Sequence, residues 1–229
     1  MLITIDDVLT PAELAEAQSL LGETRWVSGQ VTAGVQAATV KNNQQIPEDA
    51  PQLIRLRQLV LTALSRNALF FTAALPLKIL PPFFNRYTGD SNHYGFHTDN
   101  AMREMPDGSG YVRADVSATL FLSRPEDYDG GLLTVDDTFG RHGVKLKVGS
   151  MVVYPSSSIH EVTPVTRGER MACFMFMQSM VRDAGERRLL FDLDMALLSL
   201  REEHGETAPV VRLTGAYHNL LRRWADSRT

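Results

Sequence analysis

At 229 residues, 44% hydrophobic and 22% charged, the chain is long enough for one sizeable core and has the composition of an ordinary globular protein. A net charge of −4 gives no electrostatic reason for a nucleic-acid partner. The single cysteine, Cys173, excludes an internal disulfide or a thiolate metal cluster, and within the apolar run MACFMFM it reads as a buried, inert thiol. The opening MLITIDDVLT lacks the basic start of a signal peptide, and no run approaches the roughly 18 apolar residues that span a bilayer. A cytoplasmic protein with no membrane partner is therefore the expectation.

The first predicted element is a helix. Thr10 suits its N-cap, Pro11 its first position, and Glu13 completes a capping box. Leu14, Ala17 and Leu21 form its apolar face, and Gly22 supplies a stop. Residues 23–46 read as extended chain or loop. A second helix is predicted from about Pro51 to Asn67, with Leu53, Leu56, Val60 and Leu64 on one face. From Leu77 the pattern turns to short strands divided by Gly, Pro, Asp or Ser: LKILPPFFNRYT, SATLFLS, GLLTVDD, VKLKVGSMVVYP, HEVTPVT and RMACFMFMQSM. Such spacing suggests a sandwich, barrel or jelly roll. The polar segment 100–114 is a candidate mobile lid, and its Arg103, Glu104 and Arg113 read as solvated charges. Residues 184–203 return to helix, with Leu189, Leu193, Leu197 and Leu200 on one stripe. After the break at HGETAP, a last helix from about Val210 to Ala225 offers Leu213, Tyr217, Leu220, Leu221 and Trp224. Leu189, Leu193, Leu197 and Trp224 are candidates for a homodimer contact.

His97 and Asp99, in YGFHTDN, are spaced i, i+2, which on a strand places both side chains on one face, where they can converge on one ion. His160, at a predicted turn before EVTPV, supplies a third ligand from a distant segment. Two histidines and one carboxylate make the ligand set of a facial triad that leaves positions open on a non-heme Fe(II). Structural zinc sites are closed by four ligands, and no fourth is evident. Arg170 opens the strand RMACFMFM ten residues after His160, and its planar fork suits the far carboxylate of a metal-chelating dicarboxylate. His93, His142, His204 and His218 read as ordinary core or surface histidines. Gly130-Gly131 and Gly149 each precede a predicted strand.

The run RYTGDSNHYGFHTDN resembles the segment that opens the catalytic core of prolyl/lysyl-hydroxylase-type Fe(II)/2-oxoglutarate dioxygenases. LKVGSMVVYPSSSIHEVTPVTRGERMACFMFMQS resembles the segment that closes it. The likeness is strongest to the bacterial PKHD-type hydroxylases and extends to the helical tail. It implies a mainly β (α+β) fold with a double-stranded β-helix (jelly-roll) core, N-terminal helices packed on the sheet and a C-terminal helical extension. The implied domains are an oxygenase domain over 1–182, with its catalytic core at about 77–182, and the extension over 183–229.

The resemblance implies His97, Asp99 and His160 as ligands of Fe(2+), and Arg170 as the anchor of 2-oxoglutarate, with Tyr87 beside it; the alternative for Tyr87 is a strand aromatic packed in the core. A hydroxyl from Tyr87 or Thr163 is a candidate to assist Arg170. No catalytic residue beyond the metal ligands is implied. O2 is the second co-substrate, ascorbate is expected to restore the iron, and the substrate is peptidyl or a small molecule. The alternatives are a cupin-like metalloprotein or a metal-binding regulatory module without 2-oxoglutarate chemistry.

Overall fold

A computed structural model of the chain describes residues 1–32, 34–137 and 140–226. It opens with strand β1 (Ile3–Ile5) and helix α1 (Pro11–Glu23). The Thr10 hydroxyl accepts from the Glu13 N–H, and the Glu13 carboxylate accepts from the Thr10 N–H, so the capping box forms as read. Gly22 does not stop the helix, which runs one residue further and buries Ala17 and Leu21.

Residues 23–46 are not simply extended. They form β2 (Val27–Ser28), a 3-10 turn (Gly29–Thr32), helix α2 (Val35–Val40), β3 (Lys41–Asn42) and β4 (Gln44–Gln45). The six residues VQAATV have no helical signature, and tertiary packing decides their state. Helix α2 sits against the strand carrying Gly95, where a Cβ would lie 3.0 Å from the Val40 Cβ. Helix α3 (Pro51–Ser65) buries Leu53, Leu56, Val60 and Leu64, as the periodicity predicted. A further helix, α4 (Ala68–Ala74), follows at once, capped by the Asn67 side chain accepting from Phe70 N–H.

The strands that follow are β5 (Pro76–Ile79), β6 (Phe83–Tyr87), β7 (His93–His97), β8 (Met102–Glu104), β9 (Tyr111–Arg113) and β10 (Val116–Phe121). Then come β11 (Tyr128–Gly130), β12 (Leu133–Asp137), β13 (Gly140–Val144) and β14 (Met151–Pro155). β15 (Ile159–Val162), β16 (Val165–Gly168) and β17 (Arg170–Ser179) complete the strands, and helices α5 (Ala184–His204) and α6 (Ala208–Trp224) close the described chain.

Two antiparallel sheets form the core. The larger runs β1-β14-β10-β17-β6-β4-β2, with β5 also on β17; the smaller runs β13-β12-β15-β7-β3. This is the expected jelly roll with flanking helices. The strand period of two sorts the side chains of the larger sheet. Ala118 and Leu120 of β10, with Cys173, Met175 and Met177 of β17, join the cluster that packs against α1, α3 and α4. Ser117, Thr119, Arg170, Phe174 and Phe176 take the other parity and line a cavity between the sheets. Cys173 is fully buried, and burial pushes its thiol pKa up, so it is the inert residue predicted.

Segment 100–114 is not an open loop. β8 and β9 pair as a hairpin, and Val112 is fully buried with Leu80 and Phe176 in a small cluster of its own. The reading of Arg103 as a solvated charge also fails, because its side chain enters the inter-sheet cavity. Arg113 pairs with Asp115 at 2.7 Å, and Glu104 is exposed.

In the tail, α4, α5 and α6 share a cluster built on Leu75, Val181, Leu190, Leu197, Val210 and Tyr217. The predicted leucine stripe is shifted. Leu190 is buried in place of Leu189, and Leu213 also faces out. Leu197 is buried, and Leu193 and Trp224 are partly buried, inside this cluster. Of the four residues read as a subunit contact, only Leu189 is exposed. No helix among the described residues is long and apolar enough to cross a membrane.

Candidate active site

The smaller sheet brings the two histidines together. His160 on β15 is the cross-strand partner of His97 on β7, with ring centroids 4.2 Å apart. His160 lies inside its strand rather than at a turn before it. β7 ends at His97, so Asp99 stands in the chain just beyond the strand. One donor atom from each of His97, Asp99 and His160 lies within 4.8 Å of the others, a spacing that can hold a metal ion. Both histidines are 5% exposed.

The surroundings orient these donors. His97 Nδ1 meets the Gly95 carbonyl at 2.8 Å, and His160 Nδ1 meets the Ser158 carbonyl at 3.0 Å. A carbonyl can only accept, so each Nδ1 is the donor of its ring and Nε2 is the nitrogen left to face a metal. Burial, and then the neighbouring His160, pushes His97 down to about 3, which keeps it neutral at physiological pH. The Asp99 carboxylate accepts from the Ser117 hydroxyl at 2.7 Å, and Ser117 in turn lies 2.7 Å from the Ser156 hydroxyl. Tyr94 stacks on the His97 ring at 3.6 Å between centroids. Sequence reasoning missed Ser117, Ser156 and Tyr94. Each stands within or beside a strand already marked, but nothing in its type or spacing singled it out.

Arg170 begins β17 opposite Tyr87 of β6 and points into the same cavity. It is 1% exposed, and none of its three guanidinium nitrogens has a hydrogen-bond partner among the described residues. Its guanidinium carbon lies 5.2 Å from the ring centroids of both Tyr87 and Phe121. The buried Tyr128 hydroxyl approaches it without completing a hydrogen bond. A buried, unpaired guanidinium is costly by itself, so this arrangement fits an anionic group absent from the protein alone. Gly131, in the left-handed region at φ +62°, shapes this wall, because a Cβ there would lie 2.9 Å from Arg170 Cδ. Thr163 contributes nothing to the cavity; its hydroxyl accepts the Leu132 N–H at 2.9 Å. His93, His142, His204 and His218 also lie outside it, as predicted.

Comparison with known proteins fits this geometry. Residues 82–178 match the 2OG-Fe(II) oxygenase superfamily, and residues 184–226 match the PKHD-type hydroxylase C-terminal domain. The chain is 72% identical over 227 residues to a PKHD-type hydroxylase of Nitrosomonas europaea, covering 99% of this chain and all of the relative. The chain belongs to the PKHD-type hydroxylases. This hydroxylase therefore works with Fe(2+), 2-oxoglutarate and O2, and the cupin-like and regulatory alternatives fall away.

Among solved structures, it is similar to a Pseudomonas putida prolyl-4-hydroxylase, with 25% identity and a TM-score of 0.50, covering 77% of this chain and 92% of that one. A prolyl hydroxylase from Trichoplax adhaerens in complex with a peptide fragment superposes with a TM-score of 0.54 at 18% identity, covering 82% of this chain and 86% of that one. That second likeness speaks for the fold.

Proposed function

We propose that His97, Asp99 and His160 hold the Fe(II), and that Arg170 pairs with the distal carboxylate of 2-oxoglutarate. Tyr87 forms part of the wall beside that carboxylate, and the substrate is a peptidyl group or a small molecule. The observation that carries this reading is the wholly buried, unpartnered Arg170 in the same cavity as the three donors.

Bound there, iron supplies O2 activation for hydroxylation, coupled to conversion of 2-oxoglutarate to succinate and CO2. The protein's own residues supply the rest. Gly95 and Ser158 fix the two imidazoles, and Ser117 holds one carboxylate oxygen of Asp99. Tyr87, Phe121 and Tyr128 exclude water from the guanidinium, which strengthens its attraction for a carboxylate. The same reading divides the chain into an oxygenase domain at 1–182, with a catalytic core from about 77, and a helical extension at 183–229. Ascorbate sustains turnover by restoring iron after uncoupled cycles.

Anaerobic titration of the protein with Fe(II) and 2-oxoglutarate tests the reading. A weak visible charge-transfer band is expected in the wild type and is lost in His97→Ala. Absence of the band in the wild type overturns the assignment. Incubating metabolite and peptide extracts with the active enzyme then identifies the substrate as a species gaining one oxygen in step with succinate.

A further inference from the structure

A second pair of cations enters the cavity, and the assignment above gives it no role. Lys41 begins β3 and is 4% exposed; Arg103 projects from the β8–β9 hairpin. Neither forms an ion pair with a carboxylate among the described residues. Both are tied to Thr32 instead: Lys41 Nζ donates to its hydroxyl at 2.9 Å, and Arg103 Nη2 to its carbonyl at 3.3 Å. Aromatic rings complete the surroundings. Lys41 lies 5.2 Å from the centroid of Tyr94, the ring stacked on His97, and 5.7 Å from that of Phe174. Arg103 lies 4.0 Å from the centroid of Phe176. Burial pushes the Lys41 ammonium down to about 7, which shows how poorly the protein alone accommodates that charge.

The pair stands against a different stretch of β17 from Arg170. Arg170, Phe174 and Phe176 share one strand, which rises about 3.3 Å per residue. Phe174 and Phe176 therefore stand roughly 13 and 20 Å along β17 from Arg170. A dicarboxylate held by Arg170 at one end and the metal at the other is engaged at both ends without Lys41 and Arg103. Charge leads to the same conclusion. Asp99 is the only acidic side chain among the described residues lining the cavity. Asp99 attracts both Lys41 and Arg103, but divalent iron, Asp99, Arg170 and dianionic 2-oxoglutarate cancel among themselves, so with the metal and co-substrate bound the two cations have no counter-charge to spare.

We propose that Lys41 and Arg103 form an anion subsite on the substrate side of the iron, so that the molecule hydroxylated presents a carboxylate or phosphate there, beside the ring of Tyr94. This rests on the assignment of iron and 2-oxoglutarate given above. It makes both residues specificity-determining groups that touch the substrate and leave the co-substrate alone.

The test uses the full chain, held anaerobically with saturating Fe(II) and 2-oxoglutarate. Acetate, benzoate and inorganic phosphate are titrated against acetamide, benzamide and sodium chloride at matched ionic strength, and the melting temperature is followed. The expected result is stabilisation of the wild type by carboxylates or phosphate but not by the amides or chloride. The Lys41→Met/Arg103→Gln variant should lose about tenfold or more in apparent anion affinity while keeping the Fe(II)–2-oxoglutarate band. Lys41→Arg/Arg103→Lys, which preserves both charges, should retain the response. A response to acetate alone or to phosphate alone names the anion.

An equal response to the amides, no response in the wild type, or an undiminished response in the Met/Gln variant overturns the inference. Loss of the band only in that variant assigns the two cations to the co-substrate and also overturns it. Absence of the band in the wild type removes the assignment beneath it.

Discussion

Arg170 and the Lys41–Arg103 pair place positive charge in one cavity by two different constructions. Arg170 projects from β17, a strand hydrogen-bonded to β10 on one side and β6 on the other, and aromatic rings surround it. Lys41 begins a two-residue strand at the edge of the smaller sheet, and Arg103 belongs to a hairpin outside both large sheets. Their common tether is one threonine in a 3-10 turn. A central strand holds its side chains to narrow limits, which suits an invariant co-substrate. Short edge elements can be rebuilt without disturbing the core, which suits a group that selects the substrate.

Five substitutions test that contrast, in order of expected effect. Asp99→Ala removes the one carboxylate among the described residues lining the cavity. Succinate formation should fall to background, well beyond the roughly 10- to 100-fold that losing a supporting hydrogen bond costs. Retention of full 2-oxoglutarate decarboxylation would place the metal elsewhere. Arg170→Met should raise the KM for 2-oxoglutarate by roughly 30-fold or more, the usual consequence of removing one partner of a buried charge pair. Because the guanidinium has no partner without a ligand, the melting temperature of the unliganded variant should not fall. A drop of many degrees, with KM unchanged, would make Arg170 structural.

Ser117→Ala leaves the three donors in place but takes away the bond that orients Asp99. Fe(II) affinity, measured anaerobically, should fall about 10- to 100-fold, with the KM for 2-oxoglutarate unchanged at saturating iron.

Thr10→Ala, on the outer face at the start of α1, is the remote control. It should cost about 1 kcal/mol in denaturant unfolding and leave both affinities alone. The same corner has a pH signature. The Arg66 guanidinium, aided by Thr10, holds the Glu13 carboxyl down to about 2 from 4.5. Its contribution is thus present above the ordinary carboxylate range and is lost as pH falls toward 2. Glu13→Gln should flatten stability across that window by a small amount, since the ion pair with Arg66 is partly solvated.

What could be read along the chain follows from how local each signal is. The capping box at Thr10 and the apolar face of α3 depend on neighbours three and four residues away, and both formed as read. The strands of the core announced themselves by period and composition. Helices α2 and α4 did not, because six and seven residues are too few for a periodic face and their state depends on what they pack against. The hairpin β8–β9 was hidden for a related reason. Its sequence is mostly polar, and one valine, Val112, is too little to show that the segment is anchored to the core or that Arg103 turns inward. In the tail, the one-residue shift from Leu189 to Leu190 reflects a stripe wide enough to admit two phases until α4 and α6 choose one.

The sequence by itself determined the family, the jelly-roll strands, the HxD pair with its distant histidine, and the arginine that follows. These are short-range patterns whose residue types are demanded by metal and carboxylate chemistry wherever they occur. Tertiary structure alone decided that His160 lies across from His97, that Ser117 holds Asp99, and that Arg170 stands buried without a hydrogen-bond partner among the described residues. It also decided that Lys41 and Arg103, 62 positions apart in the chain, meet at Thr32. The physical reason is that a cation on a short polar segment looks the same whether water or a cavity receives it. Only the closing of the two sheets and the hairpin over one volume excludes the water and leaves the charge waiting for an anion.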